Sequence, residues 1–209
     1  MKIIDDLQWR YATKKFDSNY KLSEQQLEIL KEAFNLTALS YGLQTLKMVV
    51  VSDTEKREAL VEFAYGQRQV VEASHLLVLC IQTIIDGDDV DVHYNNIKDV
   101  RNTSDAVLAP YKNQLKMTIS GMSTEKKNNW ATRQAYIALG NLMTVCAVEK
   151  IDSCPMEGFI PEKLDKHLGL DALGLKSVLL LPVGKRADDD MFADFKKVRK
   201  SVSETVIEL

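Results

Sequence analysis

Three cations stand close together among aromatic side chains near the start of the chain, in residues 9–16. Arg10, Lys14 and Lys15 could bind an anion, because guanidinium and ammonium groups donate strong charge-assisted hydrogen bonds. They could instead be solvated cations that complement the negative end of a short helix. The chain as a whole has a formal net charge of -3 at pH 7, so a local anionic ligand fits the cluster better than a polyanion does.

Two later segments also carry residue types that could serve a functional site. Residues 155–158 read Pro-Met-Glu-Gly, where Pro155 and Gly158 restrict the backbone around the carboxylate of Glu157. The segment could also be only a tight turn before a helix. The C-terminal tail is basic again, at Lys197 and Arg199 and at the lysines beside them, which gives a second group of cations far along the chain from the first.

The composition argues against several classes of protein. The 209 residues, 45% of them hydrophobic and 27% charged, suit one compact domain, and the acidic balance argues against nucleic-acid binding. Cys80, Cys146 and Cys154 are odd in number and far apart, so we expect free thiols of a reducing compartment and no metal site. No apolar run approaches the roughly 20 residues of a membrane helix, and the first turn is acidic, so we expect a cytoplasmic protein without a signal peptide.

Hydrophobic periodicity predicts helices and strands in alternation. Helices are expected at 2–11, 24–37, 54–63, 123–150 and 161–168, and strands at 47–52, 76–81 and 177–184. Because the strands are continuous apolar runs, helices should cover both faces of their sheet in an α/β or α+β fold. Residues 204–209 alternate like an edge strand, which would need to dock, for instance across a dimer.

Two of the segments stand apart from this pattern. The helix expected at 123–150 is apolar on nearly every face, so it should be central or lie in a subunit interface. The segment from about 86 to 125 is polar and weakly amphipathic, and it is predicted to be a helical excursion outside the main core. It opens with Asp86-Gly87-Asp88-Asp89, which lacks the pattern and the closing Glu of a calcium loop and is interpreted as the acidic first turn of a helix.

Five motifs, taken in their order and spacing, resemble the FMN-dependent nitroreductase family, and most closely its branch of oxygen-insensitive NAD(P)H nitroreductases and flavin reductases. They are Arg-Tyr-Ala-Thr-Lys-Lys-Phe at 10–16, Ser-Tyr-Gly-Leu-Gln at 40–44, Gln-Arg-Gln at 67–69 before Ala-Ser-His at 73–75, Pro-Met-Glu-Gly-Phe at 155–159 and Lys-Val-Arg at 197–199. The resemblance implies one FMN-binding domain over residues 1–209, of α+β class, with a central and mostly antiparallel sheet flanked by helices. It also implies an intertwined homodimer in which a tail from about 188 to 209 embraces the partner.

The resemblance further implies two FMN sites in the dimer interface. Arg10, Lys197 and Arg199 map to phosphate ligands, and Lys14 maps to a donor near the flavin ring. The backbone N–H groups of the 155–158 turn would face the N5 side of the flavin, and residues 40–42 would come from the partner subunit and line the cavity over the ring. The expected cofactor-binding set is Arg10, Tyr11, Ala12, Lys14, Ser40, Gly42, Gln67, Gln69, Pro155, Met156, Glu157, Gly158, Lys197 and Arg199, and the expected substrate contacts are Tyr41 and Lys14.

The chain departs from the family pattern at several of these positions. Ala12 stands where relatives often carry a hydroxyl, Gly66 where an Asn is common, and Gln69 where a cation is common. The amides of Gln67 and Gln69 are therefore expected at the pyrimidine edge of the flavin. Thr45, with the Leu that follows it, replaces a frequent Pro-aromatic pair, which bears on substrate preference rather than on cofactor binding.

The expected activity is a ping-pong cycle without a protein nucleophile or acid-base residue. NADH or NADPH would pass hydride to flavin N5 and leave, and a nitroaromatic, a quinone or a flavin would then receive two electrons. One alternative is a specialised relative that reduces dihydropteridines or enones or that removes halogen. Another is a flavin-binding protein without turnover, which the departures at Ala12 and Gly66 motivate.

Overall fold

A four-stranded sheet forms the centre of the fold, and every neighbouring pair of its strands is antiparallel. The computed structural model describes residues 2–209, and its strands lie in the order β1-β2-β4-β3. They are β1 (Leu46–Val51), β2 (His75–Gln82), β3 (Asp152–Ser153) and β4 (Leu175–Gly184). The three predicted apolar strands are confirmed close to their predicted bounds, and the α+β class is confirmed with them.

Helices lie before, between and after the strands along the chain. They are α1 (Lys2–Trp9), α2 (Glu24–Asn35), α3 (Thr54–Phe63), α4 (Gln69–Glu72), α5 (Gly87–Arg101), α6 (Asp105–Ser120), α7 (Thr124–Val148), α8 (Pro161–Leu168) and α9 (Val202–Thr205). Local signals set several of these ends. Ser23 forms a capping box with Gln26, Ser123 caps α7, and Gly169 ends α8 in the left-handed region at φ 69°.

The two faces of the sheet bury alternate side chains of its central strands. Leu77 and Leu79 of β2 belong to the apolar cluster on the side of α7, whereas Leu76 and Val78 belong to the cluster on the side of α3 and α8. All four side chains are almost completely buried. Because both faces are covered, these strands read in the sequence as continuous apolar runs rather than as an alternating pattern.

The central helix α7 packs on the sheet with one side and leaves the other side bare. Ala131, Ala135 and Leu142 are buried in the cluster that contains the sheet residues. In contrast, Tyr136 is 44% exposed and Ile137 is 50% exposed. The prediction of a long central helix is confirmed, and its outward side presents large apolar groups that one chain leaves in contact with solvent.

The segment at 86–125 forms a pair of helices, α5 and α6, that reaches into the core. Asp86 and Asp89 make a capping box at the start of α5, which confirms the acidic helix start in place of a calcium loop. The prediction that the segment lies outside the main core is wrong for its inner side, since Val90 and Tyr94 are buried in the same cluster as α7. Few residues of the pair face inward, so its amphipathic pattern in the sequence is weak.

The end of the tail does not form the strand predicted at 204–209. Ser201 caps α9 through a capping box with Glu204, whose Oε2 accepts hydrogen bonds from the backbone N–H of Ser201 at 2.9 Å and from its hydroxyl at 2.7 Å. This local cap favours a helical turn over extension, so the strand prediction is wrong for the isolated chain. Val206, directly after α9, has extended backbone angles, and the last residues are exposed.

Candidate functional site

Three cations converge on one cavity beside the end of α1. The helix ends at Trp9, earlier than predicted, so Arg10 lies just beyond its last turn. Arg10, Lys197 and Arg199 all line a cavity of about 340 Å³ between the N-terminal segment and the tail. Lys197 also donates a hydrogen bond from Nζ to the backbone oxygen of Arg10. The fold thus brings together two basic motifs that lie at opposite ends of the sequence.

The cavity concentrates positive charge. Burial, and after it Arg199, lowers the pKa of Arg10, and burial followed by Arg10 and Arg199 lowers the pKa of Lys197. Within residues 2–209 none of these cations forms an ion pair, and Arg10 Nε is buried there without a hydrogen-bond partner. Like charges held close together and left unpaired are suited to bind an anion with several acceptor oxygens.

A buried carboxylate, Asp190, holds the two sides of this cavity together. Its Oδ2 accepts hydrogen bonds from the hydroxyl of Tyr11 at 2.8 Å and from the backbone N–H groups of Lys14 at 2.9 Å and Lys15 at 3.1 Å. Its Oδ1 accepts from the backbone N–H of Phe192 at 3.1 Å. Asp190 was not expected at the site, because the run of three Asp residues at 188–190 gives no reason to choose one of them.

A second buried carboxylate orients the aromatic residues that flank Arg10. Asp152 accepts from Nε of Arg186 at 2.7 Å and from its backbone N–H at 2.9 Å. The guanidinium carbon of Arg186 lies 4.5 Å from the ring centre of Trp9 and 4.6 Å from that of Tyr11. This pair also went unnoticed in the sequence, because its members lie 34 positions apart and belong to no motif.

The turn at 155–158 is fixed from three sides. Met156 exchanges two backbone hydrogen bonds with Leu180, at 2.8 and 3.0 Å. Gln67 Nε2 donates to the backbone oxygen of Gly158 at 2.9 Å, and the Tyr136 hydroxyl donates to Glu157 Oε1 at 2.8 Å. Among the described residues no acceptor pairs with the backbone N–H groups of Glu157 and Gly158. Two neighbouring donors are therefore held in place and left free.

The first motif connects this turn to the basic cavity. Ala12 pairs with Ser153 as a short parallel bridge, and the backbone N–H of Thr13 donates to the Ser153 oxygen at 3.2 Å. Lys14 follows directly, with an exposed side chain. The first motif therefore contributes Arg10 to the basic cavity and is paired, two residues later, with the strand that precedes the 155–158 turn.

The two glutamines of the third motif occupy different surroundings. Gln67 uses its amide nitrogen on the turn and on the backbone oxygen of Ala64 at 3.0 Å. Gln69 begins α4 and is only 8% exposed. Gln67 therefore positions the turn, and contact of either glutamine with a flavin stays a prediction.

Residues 40–42 lie on the other side of α7. They form a 3-10 turn, Ser40–Gly42, whose first backbone N–H donates to Gln134 Oε1 at 2.8 Å. Gln134 and Tyr136 are two positions apart on α7, and side chains at that spacing point to opposite sides of a helix. Because Tyr136 reaches the 155–158 turn, a single chain does not unite Ser40, Tyr41 and Gly42 with the other expected site residues.

The remaining polar and thiol groups suggest no other chemistry. In the part of the chain that the structure describes, no group of three or more His, Cys, Asp or Glu side chains could hold a metal ion. Cys80 and Cys146 are buried, and burial raises the pKa of each thiol to about 12. Among the described residues, no helix is both long and apolar enough to span a bilayer.

Comparison with known proteins gives three relevant similarities. The Nitroreductase family profile matches residues 7–185. YfkO of Bacillus subtilis, named as a candidate NAD(P)H nitroreductase, is 37% identical over 182 residues, which cover 82% of this chain and 81% of that protein. The major NAD(P)H-flavin oxidoreductase of Aliivibrio fischeri is 30% identical over 211 residues, or 98% and 97% of the two chains.

A solved structure has a similar fold. A candidate nitroreductase of Exiguobacterium sibiricum, determined in complex with FMN, matches with a TM-score of 0.84 over 99% of this chain and 97% of that one. The two sequences are 18% identical. At that identity the likeness establishes the shared architecture and nothing about individual site residues.

Replacing Asp190 tests whether its carboxylate assembles the cavity. In Asp190→Asn an uncharged amide replaces the acceptor of four donors, so we expect the free energy of unfolding at pH 7 to fall by about 2–3 kcal/mol. Urea unfolding measures this change. Asp189→Asn removes the neighbouring exposed carboxylate, which pairs with Lys15 at the surface, and should leave stability nearly unchanged.

Wild type and Asp190→Asn should also differ in how their free energy of unfolding depends on pH. Burial alone would raise the pKa of Asp190, but Tyr11 and the backbone N–H groups outweigh it, so the pKa in the folded protein lies below its usual value. The stabilisation is therefore present above the unfolded pKa of about 3.9 and is lost as the pH falls through the lower folded pKa. Wild type and Asp190→Asn should converge in acid, and a constant difference down to that range would contradict the assignment.

Proposed function

The chain belongs to the nitroreductase family, and we propose that it is an oxidoreductase that binds FMN, takes hydride from NADH or NADPH and reduces nitroaromatics, quinones or flavins. Membership of the family confirms the resemblance drawn from the five motifs. The observation that carries the proposal is the cavity lined by three cations without ion pairs, which the Ala12–Ser153 bridge connects to the segment that leads to two free backbone donors. A ligand with a phosphate at one end and a polar ring at the other fits that arrangement.

The cations would hold the phosphate of FMN. A phosphate carries close to two negative charges and several acceptor oxygens, so it suits Arg10, Lys197 and Arg199 better than a single carboxylate would. Binding would offset the mutual repulsion that, after burial, lowers the pKa of Arg10 and of Lys197. The buried and unpaired Arg10 Nε would then gain an acceptor.

The 155–158 turn would hold the reactive side of the flavin ring. When bound, FMN supplies the chemistry, since it accepts hydride and returns two electrons to an oxidant. The free N–H groups of Glu157 and Gly158 would donate to the ring, and their backbone is already fixed through Met156, Gln67 and Tyr136. Donors that are fixed in advance stabilise developing charge without reorganisation. Lys14, with its exposed side chain, would donate near the ring and contact the substrate.

A homodimer would complete each site. Residues 40–42 lie on the opposite side of α7 from the turn, so they could join a flavin only if a second copy supplied them. The bare side of α7 carries Ile137, and α1 adds Ile3 and Ile4, which are 42% and 45% exposed. Large apolar side chains exposed on two helices suit an interface between two copies.

The tail would have two roles within one domain that covers residues 1–209. Its first part, around Asp190 and Lys197, serves the site of its own chain. The end of the tail is exposed, and its backbone is extended at Val206. Strand β1 lies at an edge of the sheet, so its outer backbone groups could pair with the tail of a partner.

The helices at 86–125 would cover the substrate side. Free, buried cysteines support a reducing compartment such as the cytoplasm.

The phosphate assignment predicts a specific loss of affinity. Combining Lys197→Ala with Arg199→Ala removes two of three cations, so FMN binding should weaken by about 2–4 kcal/mol, or roughly 30- to 1000-fold in Kd. Quenching of flavin fluorescence measures the Kd. The control combines Lys166→Ala with Lys200→Ala, which removes the same charge at exposed positions outside the cavity lining. Equal affinity in the test and control variants would refute the assignment.

The dimer assignment predicts an effect of charge on α7. Ile137→Glu places a carboxylate on the bare face, so we expect the protein to become monomeric and to lose bound FMN in proportion. Leu173→Glu puts the same charge at another apolar position, which is 65% exposed in a 3-10 turn far from α7 along the chain. This control should change neither property. Light scattering with flavin absorbance measures both. A monomer with a full complement of FMN would contradict the shared site.

A further inference from the structure

The turn expected over the substrate is held in an unusual backbone conformation. Tyr41, Gly42 and Gln44 all have positive φ, at 59°, 71° and 49°. Such angles are unfavourable for residues other than glycine, so surrounding contacts must maintain them. Two of these contacts come from α7, namely the Gln134 hydrogen bond to Ser40 and the Trp130 ring, whose centre lies 6.1 Å from that of Tyr41.

The third contact comes from α5 and falls on Gly42 itself. A Cβ atom added to Gly42 would lie 2.7 Å from Cε1 of His93 and 3.2 Å from Nε2. The glycine backbone therefore rests directly on the imidazole. Burial, and after it Arg101, lowers the pKa of His93, so the ring in this contact is the uncharged form near neutral pH.

Open space lies beside this contact. A cavity of about 230 Å³ is bounded by Gly42 and Gln44 on the loop side and by Asp89, His93 and Asn96 on α5. The imidazole of His93 thus contacts the loop at the edge of a cavity and is not surrounded by packed core side chains. Without it, the loop could sink toward α5, and Tyr41 would move with it.

We propose that His93 is a positioning residue that supports the Ser40–Gly42 turn from α5. It thereby sets the size of planar oxidant that fits between this turn and the flavin ring. The proposal rests on the proposed function and on the expected contact of Tyr41 with the oxidant. A smaller side chain at position 93 would let the turn move toward α5, which would widen the oxidant cavity on the opposite side of the turn, over the flavin ring. Discrimination among flat oxidants by size therefore depends on α5, outside the motifs that bind the cofactor.

A double-mutant cycle tests the contact. Gly42→Ala should lower the urea midpoint of unfolding more than Gly169→Ala does, because Gly169 has a similar φ of 69° but no atom within 4 Å of an added Cβ. In the background of His93→Ala the excess loss at Gly42 should disappear. Val100→Ala, at an 83% exposed position on the same helix, serves as the control for α5.

Kinetics of the FMN-loaded enzyme test the role in oxidant choice. In His93→Ala the ratio of kcat/KM for a two-ring quinone to that for a one-ring quinone should rise about tenfold, equivalent to about 1.4 kcal/mol, with the Kd for FMN unchanged. Val100→Ala should keep the wild-type ratio. An equal effect of Gly42→Ala in both backgrounds, or a ratio unchanged in His93→Ala, would overturn the proposal. A wild-type protein that binds no FMN would instead overturn the proposed function, and the unfolding cycle would still decide the contact.

Discussion

The buried carboxylate of Asp190 is the interaction on which the candidate site depends. It gathers the Tyr11 hydroxyl and the backbone N–H groups of Lys14 and Lys15, and so fixes the first motif against the start of the tail. Arg10 and Lys197 face one cavity only because these two segments are joined. The carboxylate is shielded by neutral donors, which leaves the cations unpaired and available to an anion.

The central helix α7 sets a second constraint, because it contacts two groups of expected site residues on its opposite sides. Gln134 holds the turn at residues 40–42, and Tyr136, on the opposite side of α7, holds Glu157. In the proposed homodimer, each chain would supply these two groups of residues to different sites. The exposed apolar residues of α7 and the edge strand β1 would then be parts of one arrangement.

Features that depend on neighbouring residues were predictable from the sequence, and those that depend on distant pairs were not. Apolar runs identified the strands, and the Ser23 cap and the Gly169 stop identified helix ends. The motifs include Arg10, Lys197 and Arg199, which the fold brings to one cavity, whereas Asp190 and Asp152 belong to no motif and their partners lie far away in the sequence. At residues 204 and 205 the alternating pattern is overridden by the local Ser201–Glu204 cap, which forms α9, and docking of the last residues across a dimer stays a prediction.

The most direct test of the proposed activity is the visible spectrum of the purified protein during anaerobic addition of NADH or NADPH, followed by a nitroaromatic or a quinone. We expect a yellow protein that bleaches with the reduced nicotinamide and regains its colour with the oxidant. A colourless protein that takes up no FMN would contradict the cofactor assignment. A yellow protein that neither nicotinamide bleaches would contradict the enzyme assignment and leave a flavin carrier in its place.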